Sequence, residues 1–229
     1  MINLLKDANR LHSTVILISM TLFCFTLSAL RYYVTGTRTY HFLNWNLFLA
    51  FIPWFISSVI VLYRVNNKSA LFVLAFSWLL FFPNSPYILT DLFHLHKGTA
   101  APMWFDLVLI LSFAWTGLLY GFSSLLDMER IFTPYIKKIV IGIITSVFLF
   151  LSCFGVYLGR YLRWNSWDII ANPIALFYDI GDRFLHPFQH SRTWGMTLFL
   201  GILLNMMYFS FRSFVNDRHG ISKEAVQIS

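Results

Sequence analysis

The sequence predicts an all-α fold: a polytopic transmembrane bundle of six helices, with the third span broken and one interfacial amphipathic helix. Three observations predict it. Hydrophobic residues fill 58% of the 229 positions and charged residues only 12%, against roughly 25% charged in an ordinary globular domain. So little charge cannot coat a water-facing surface, and 25 Phe, 11 Tyr and 8 Trp cannot all pack inside a core of this size. Six apolar runs long enough for a bilayer core, which needs about 20 residues per helix, lie between the charged positions. One of them is interrupted by Pro83-Asn84-Ser85-Pro86. The same composition excludes a disordered, collagenous or disulfide-stapled chain, and the whole, 1–229, reads as a single transmembrane domain.

The first span runs from about Ser13 to Leu30 and is closed by Arg31-Tyr32-Tyr33. Its apolar stretch slightly exceeds the ~7–15 residues of a signal peptide and lacks a small-x-small cleavage site, so it is read as a span. The second, Trp45 to Tyr63, contains Pro53, which predicts a kink and a carbonyl that a neighbouring helix must satisfy. The third starts at Ala70. Proline at 83 and 86 removes two amide donors and disfavours helix in each preceding residue, so this segment should be irregular before a second piece, Tyr87 to Leu95. In a helical second piece, Tyr87, Asp91 and His94 share one stripe.

The fourth span covers about Trp104 to Leu126, with Asp106 in its first turn. The fifth runs from Ile139 to about Leu162 and contains Gly155-x-x-x-Gly159, read as close helix packing. The sixth spans Thr193 to about Phe214. Between the last two, Asn172-Pro173 has the form of a helix start. Pro173, Phe177, Ile180 and Phe184 then share one face and Asp179, Asp182 and Arg183 lie elsewhere, the pattern of a short helix in the membrane interface. Cys24 and Cys153 sit in apolar runs and read as small buried hydrophobes.

Six spans put both termini on one side. That side holds Lys6, Arg10, Arg64, Lys68, Arg130, Lys137, Lys138, Arg212, Arg218 and Lys223. The other holds Arg31, Arg38, Lys97, Arg160, Arg163, Arg183 and Arg192. Excess Lys and Arg favours the cytoplasm, so both termini are expected there. Net charge is +7 without a dense basic run, which argues against nucleic acid and for anionic lipid as the partner.

Three polar segments then emerge on the outward face, and ionisable groups at membrane depth are candidate functional residues. The candidate pocket comprises Asn84, Tyr87, Asp91, His94, Asp106, Arg160, Arg163, Asn165, Trp167 and Asp168. Arg160, Arg163, Trp164 and Trp167 share a stripe if the fifth helix continues past Leu162. For Asp91, His94 and Asp106 one reading is an acid–base or metal pair, the other a capping or ion-pairing role with His94 at headgroup level. For Arg160 and Arg163 the choice is between binding a phosphate or carboxylate and pairing with Asp91, Asp106 or Asp168, or reaching lipid phosphate. Asn165, Ser166 and Asp168 most simply cap the next helix, and Trp164 and Trp167 read as interfacial anchors or as the roof of the pocket. At least one of the two arginines is expected within salt-bridge distance of Asp91 or Asp106. No catalytic residue, metal-ligand set or cofactor motif is assigned, and Ser85, followed by Pro86, lacks a Gly-x-Ser-x-Gly context.

The segments Trp45-Asn46, Phe82-Pro83-Asn84-Ser85-Pro86-Tyr87-Ile88-Leu89-Thr90-Asp91-Leu92-Phe93-His94-Leu95, Trp104-Phe105-Asp106-Leu107 and Gly155-Val156-Tyr157-Leu158-Gly159-Arg160-Tyr161-Leu162-Arg163-Trp164-Asn165-Ser166-Trp167-Asp168 carry a resemblance. They resemble the domain of unknown function 1361 family of bacterial integral membrane proteins, from Trp45 to about Pro173. The resemblance implies the membrane class and the bacterial cytoplasmic (inner) membrane, and no reaction. Two readings of function stand. One is a protein that binds or transports a small anion or lipid headgroup in an outward pocket; interrupted helices with ionisable residues recur at such sites. At 229 residues without a repeat, alternating access would call for a homodimer. The other is a membrane-embedded enzyme that acts on a lipid-linked or envelope substrate through an Asp/His/Arg site.

Overall fold

A computed structural model of the chain describes the backbone of residues 2–95 and 100–227, and the side chains of 10–95 and 100–215. Lys6, Lys97, Arg218 and Lys223, four of the charges used for orientation, lie outside the residues whose side chains are described. Among the described residues the secondary structure is entirely helical: α1 (Ile2–Thr35), α2 (Phe42–Leu62), α3 (Lys68–Phe81), α4 (Asn84–Tyr87), a 3₁₀ segment (Ile88–His94), α5 (Met103–Phe132), α6 (Lys138–Leu162), α7 (Asp168–Ala171), α8 (Pro173–Leu185) and α9 (Ser191–Gln227). Six segments are long and apolar enough to cross a membrane; the third is the composite Lys68–His94. The chain divides into two compact units, residues 1–124 and 125–229.

In the first unit α1 ends at Gly36, whose positive φ of 64° lets its amide reach back to the Tyr32 carbonyl at 2.8 Å, a left-handed stop that glycine adopts without a Cβ clash. The core joins Leu17 and Cys24 of α1, Leu43, Leu47 and Ala50 of α2, Ile88, and Leu109, Ile110, Phe113 and Tyr120 of α5. Helix α2 runs on through Pro53. Proline there frees the Leu49 carbonyl, while Ser85 Oγ donates to the next one, that of Ala50, at 3.2 Å.

The third span breaks where its prolines are. Asn67 caps α3 by accepting from the Ser69 and Ala70 amides, so the helix starts slightly earlier than the apolar run. It stops at Phe81, and after the one turn of α4 the chain tightens into the 3₁₀ segment. This corrects the stripe expected from an α-helical second piece. At three residues per turn, Ile88, Asp91 and His94 align, and Tyr87 falls out of register with them. Ile88 and Asp91 are fully buried, whereas Phe93 stands exposed. Two glycines of α5 accommodate the break. A Cβ at Gly117 would lie 2.8 Å from Ile88 Cδ1, and one at Gly121 would lie 2.7 Å from Ser85 Cβ. Gly117-x-x-x-Gly121 is thus a close-packing stripe that the sequence reading passed over in favour of Gly155-x-x-x-Gly159.

In the second unit α6 and α9 pack along their length. Gly201 of α9 sits against the ring of Phe150, and Ser146 Oγ bonds Asn205 Oδ1 at 2.7 Å. Helix α8 starts at Pro173 as expected, and Phe177 and Phe184 of the expected apolar face are exposed, but Ile180 leaves that face to pack inward. Leu176 and Ile180 pack on Phe154, Tyr157 and Leu158 of α6, and Arg183 is buried beside them on the same inward stripe, while Ile174, Phe177, Tyr178, Leu185 and, beyond the helix, Phe188 are exposed. The periodic reading sorted residues by polarity. Arg183 turns inward because Asp179, one turn earlier, receives its guanidinium.

Candidate functional site

The outward-reading end of the first unit is built around two buried carboxylates. Arg31, in the last turns of α1, grips Asp106 side-on with one edge of its guanidinium: Nε to Oδ1 at 2.7 Å and Nη2 to Oδ2 at 3.3 Å. Both residues are buried, at 3% and 0% exposure. The third guanidinium nitrogen, Nη1, donates to Thr37 Oγ1 at 3.0 Å, and the cation lies 4.5 Å from the centre of the Tyr40 ring. Tyr40 in turn donates its hydroxyl to the His94 carbonyl at 2.8 Å, tying the α1–α2 loop to the end of the 3₁₀ segment. Asp91 accepts from Asn46 Nδ2 at 2.8 Å. Arg31 is not among the candidate pocket residues that the sequence names; there it closes the first span and counts toward orientation. Asn46 was noted within a Trp-Asn pair and left out of the pocket. Asn84 donates to the Phe81 carbonyl and Thr90 to that of Tyr87, so the hydroxyl and amide of this broken segment service freed backbone groups.

The second unit places the remaining candidates. Helix α6 ends at Leu162, so Arg160, Arg163, Trp164 and Trp167 do not form one helical stripe. Arg163 adopts a left-handed conformation, φ 63°, and its amide and that of Trp164 both bond the Leu158 carbonyl. Glycine is the usual occupant of such a stop. Asp168, the first residue of α7, reaches back into the loop: its Oδ2 accepts from the Asn165 amide at 2.6 Å and from Asn165 Nδ2 at 3.2 Å, while the α7 N-cap, Trp167, makes no side-chain cap. Trp164 is more than an anchor, since its indole nitrogen donates to Asp179 Oδ2 at 2.8 Å.

Below this lies a cluster the sequence reading did not assemble. Asp182 holds His186 Nδ1 at 2.9 Å and His190 Nε2 at 2.7 Å, one on each carboxylate oxygen. Those two hydrogen bonds keep its carboxyl below the ordinary carboxylate range. The i, i+4 spacing of Asp182 and His186 was the available signal. Trp194 Nε1 donates to the Arg183 carbonyl at 3.1 Å, which fastens the first turn of α9 to the end of α8. Arg192 lies 5.7 Å from the centre of the Tyr161 ring, itself stacked on Tyr157. At the far end of α5, Glu129 accepts from Thr145 Oγ1 at 2.8 Å and pairs with Arg212 Nε at 3.3 Å. Among the described residues, no group of three His, Cys, Asp or Glu side chains is disposed to hold a metal ion.

The arginines differ in how their charge is met. Arg31, Arg183 and Arg212 face carboxylates. Arg163 and Arg192 are exposed, and among the described residues neither meets a carboxylate. An exposed guanidinium can take the planar, bidentate oxygens of a phosphate or carboxylate.

One family model, described as a protein of unknown function (DUF1361), matches residues 45–207. The match begins at Trp45, where the resemblance began, and extends beyond Pro173 into α9, so it contains the elbow between α8 and α9. No curated protein and no solved structure matches the chain.

Proposed function

The chain belongs to the DUF1361 family of proteins of unknown function, and from that starting point, which brings no reaction with it, we propose that this multi-pass membrane protein binds a small anion or lipid headgroup at its outward end. The observation that carries the reading is that Arg163, at the end of α6, and Arg192, at the start of α9, are both exposed and meet no carboxylate among the described residues, with Arg192 over the Tyr161 ring. Arg163 occupies its left-handed position at a cost of roughly 1–2 kcal/mol; strain of this kind at a charged residue supports a binding role. In this reading the membrane is the bacterial inner membrane, and the termini, on the side with the larger share of basic residues, are cytoplasmic. The exposed apolar side chains of α8, from Ile174 to Leu185, and Phe188 then lie at headgroup level. The enzyme reading draws less support. Both oxygens of Asp106 are engaged by Arg31, the geometry of an anchor, and Ser85 is buried with its hydroxyl on a backbone carbonyl.

The test is binding of phosphatidylglycerol against phosphatidylcholine to the detergent-purified protein, read by native mass spectrometry. An interfacial arginine contributes about 1 kcal/mol toward an anionic lipid, so Arg163→Gly and Arg192→Ala should each weaken phosphatidylglycerol binding about fivefold. Arg163→Gly should also fold at least as stably as the parent, because glycine relieves the left-handed strain. A double variant that binds phosphatidylglycerol as the parent does would refute the proposal.

A further inference from the structure

Buried donors without a partner gather at the elbow between α8 and α9. Arg183 Nε, Thr193 Oγ1 and Thr197 Oγ1 make no hydrogen bond, and their residues are 6%, 0% and 8% exposed. Threonines elsewhere in these helices spend their hydroxyl on the carbonyl four residues back, as Thr21, Thr26, Thr35, Thr116 and Thr133 do. Thr197 has such an acceptor in its own helix, the Thr193 carbonyl, and does not use it. A buried donor left unmet is costly enough that few persist in folded proteins.

The three groups belong to surfaces that meet. Trp194, next to Thr193, bonds the Arg183 carbonyl, and Met196 packs with Leu176 and Ile180 of the inward stripe of α8. Arg183 is held from one side, its Nη1 on the carbonyl and carboxylate of Asp179, which leaves its Nε edge for another acceptor. Asp179 is itself drawn to Trp164, and Asp182 to two histidines. The first turn of α9 carries no acidic residue, as suits an anion at a helix N-terminus. Arg183 Nε can only donate and both threonine hydroxyls can donate, so an acceptor with several oxygens complements all three.

We propose that the α8–α9 elbow binds one phosphate group through Arg183 Nε and the hydroxyls of Thr193 and Thr197. This rests on the anion-binding reading and gives it a buried seat at the elbow. The phosphate belongs to a lipid headgroup or is free in solution; the chemistry is shared.

Thermal unfolding of the full chain in detergent, titrated with inorganic phosphate or with phosphatidylglycerol, tests it. A ligand that binds the folded state raises the melting temperature with its concentration. A response to inorganic phosphate identifies the free ion, and a response to phosphatidylglycerol alone identifies the headgroup. The double variant Thr193→Val/Thr197→Val keeps side-chain shape and removes two unmet hydroxyls, so it should fold as well as the parent without ligand. Its response should require at least about tenfold more ligand, since each hydrogen bond to a charged group is worth about that much. Arg183→Lys, which keeps the charge and loses the planar fork, should show the same loss; if the double variant does not fold, Thr197→Val alone serves. Equal responses in parent and threonine variants overturn the elbow site, and if Arg163→Gly loses phosphatidylglycerol binding in that case, the broader reading survives. A parent that responds to neither probe overturns both, water then sufficing for the three donors.

Discussion

Breaking the Arg31–Asp106 pair from either side should be strongly destabilising to the first unit. Arg31→Ala leaves the Asp106 carboxylate at 0% exposure without the two hydrogen bonds of 2.7 and 3.3 Å that now hold it. Breaking a buried pair by deleting one partner typically costs about 3–5 kcal/mol. The cation over the Tyr40 ring at 4.5 Å adds up to about 2 kcal/mol where it is desolvated, and the Thr37 hydroxyl loses its donor. Against a total stability of about 5–15 kcal/mol, the variant should be marginal in detergent. Asp106→Ala should behave alike by stranding the guanidinium. The double variant Arg31→Met/Asp106→Leu removes both charges and fills the space, so it should recover most of the loss. Equilibrium unfolding of the four proteins provides the measurement. Single variants within about 1 kcal/mol of the parent, or a double variant no better than the worse single one, would show that the pair is not the anchor its geometry describes.

Two further outcomes follow from particular contacts. Gly121→Ala should cost about 1–3 kcal/mol, because its Cβ would meet Ser85 Cβ at 2.7 Å, a short side chain that cannot swing away. Gly117→Ala should cost less, since the atom it meets is the far end of Ile88; thermal unfolding that ranked the two in the opposite order would contradict this packing. The Asp182 clamp sets a pH dependence. Its carboxyl is held below the ordinary range by His186 and His190, so the clamp is intact above the unfolded carboxylate value of about 3.9 and is lost as pH falls through the lower folded value. Amide exchange in residues 186–190 should therefore rise only on strong acidification, and Asp182→Asn should remove that pH step; a step unchanged in the variant would assign it elsewhere.

Much of this molecule was legible in its sequence because the bilayer sets a length and a polarity that composition reports directly. The six spans, the break at Pro83 to Pro86 and the start of α8 at Pro173 all depend on neighbours a few residues apart. Proline removes a donor wherever it stands, and an apolar run of sufficient length needs no partner to be recognised. The partners of charged groups were not legible in the same way. Asp106 meets Arg31, 75 residues away, and Asp91 meets Asn46 from another helix; nothing in their spacing specifies those encounters.

Periodicity also misled where the backbone changed its pitch, and it did not foresee a buried charge. The 3₁₀ segment aligns Asp91 with Ile88 and His94 and drops Tyr87 from their side, because three residues per turn replace 3.6. Helix α8 turns Arg183 inward and Phe177 outward. Sorting a helix into polar and apolar faces assumes water on one side and core on the other, and at a membrane surface the apolar side can face outward. The sequence by itself determined that the chain is a six-span membrane protein with a broken third helix, since those properties follow from local chemistry. Only the tertiary structure decided which arginines have their charge met by carboxylates and which stand without one, because ion pairing depends on distances that folding alone creates.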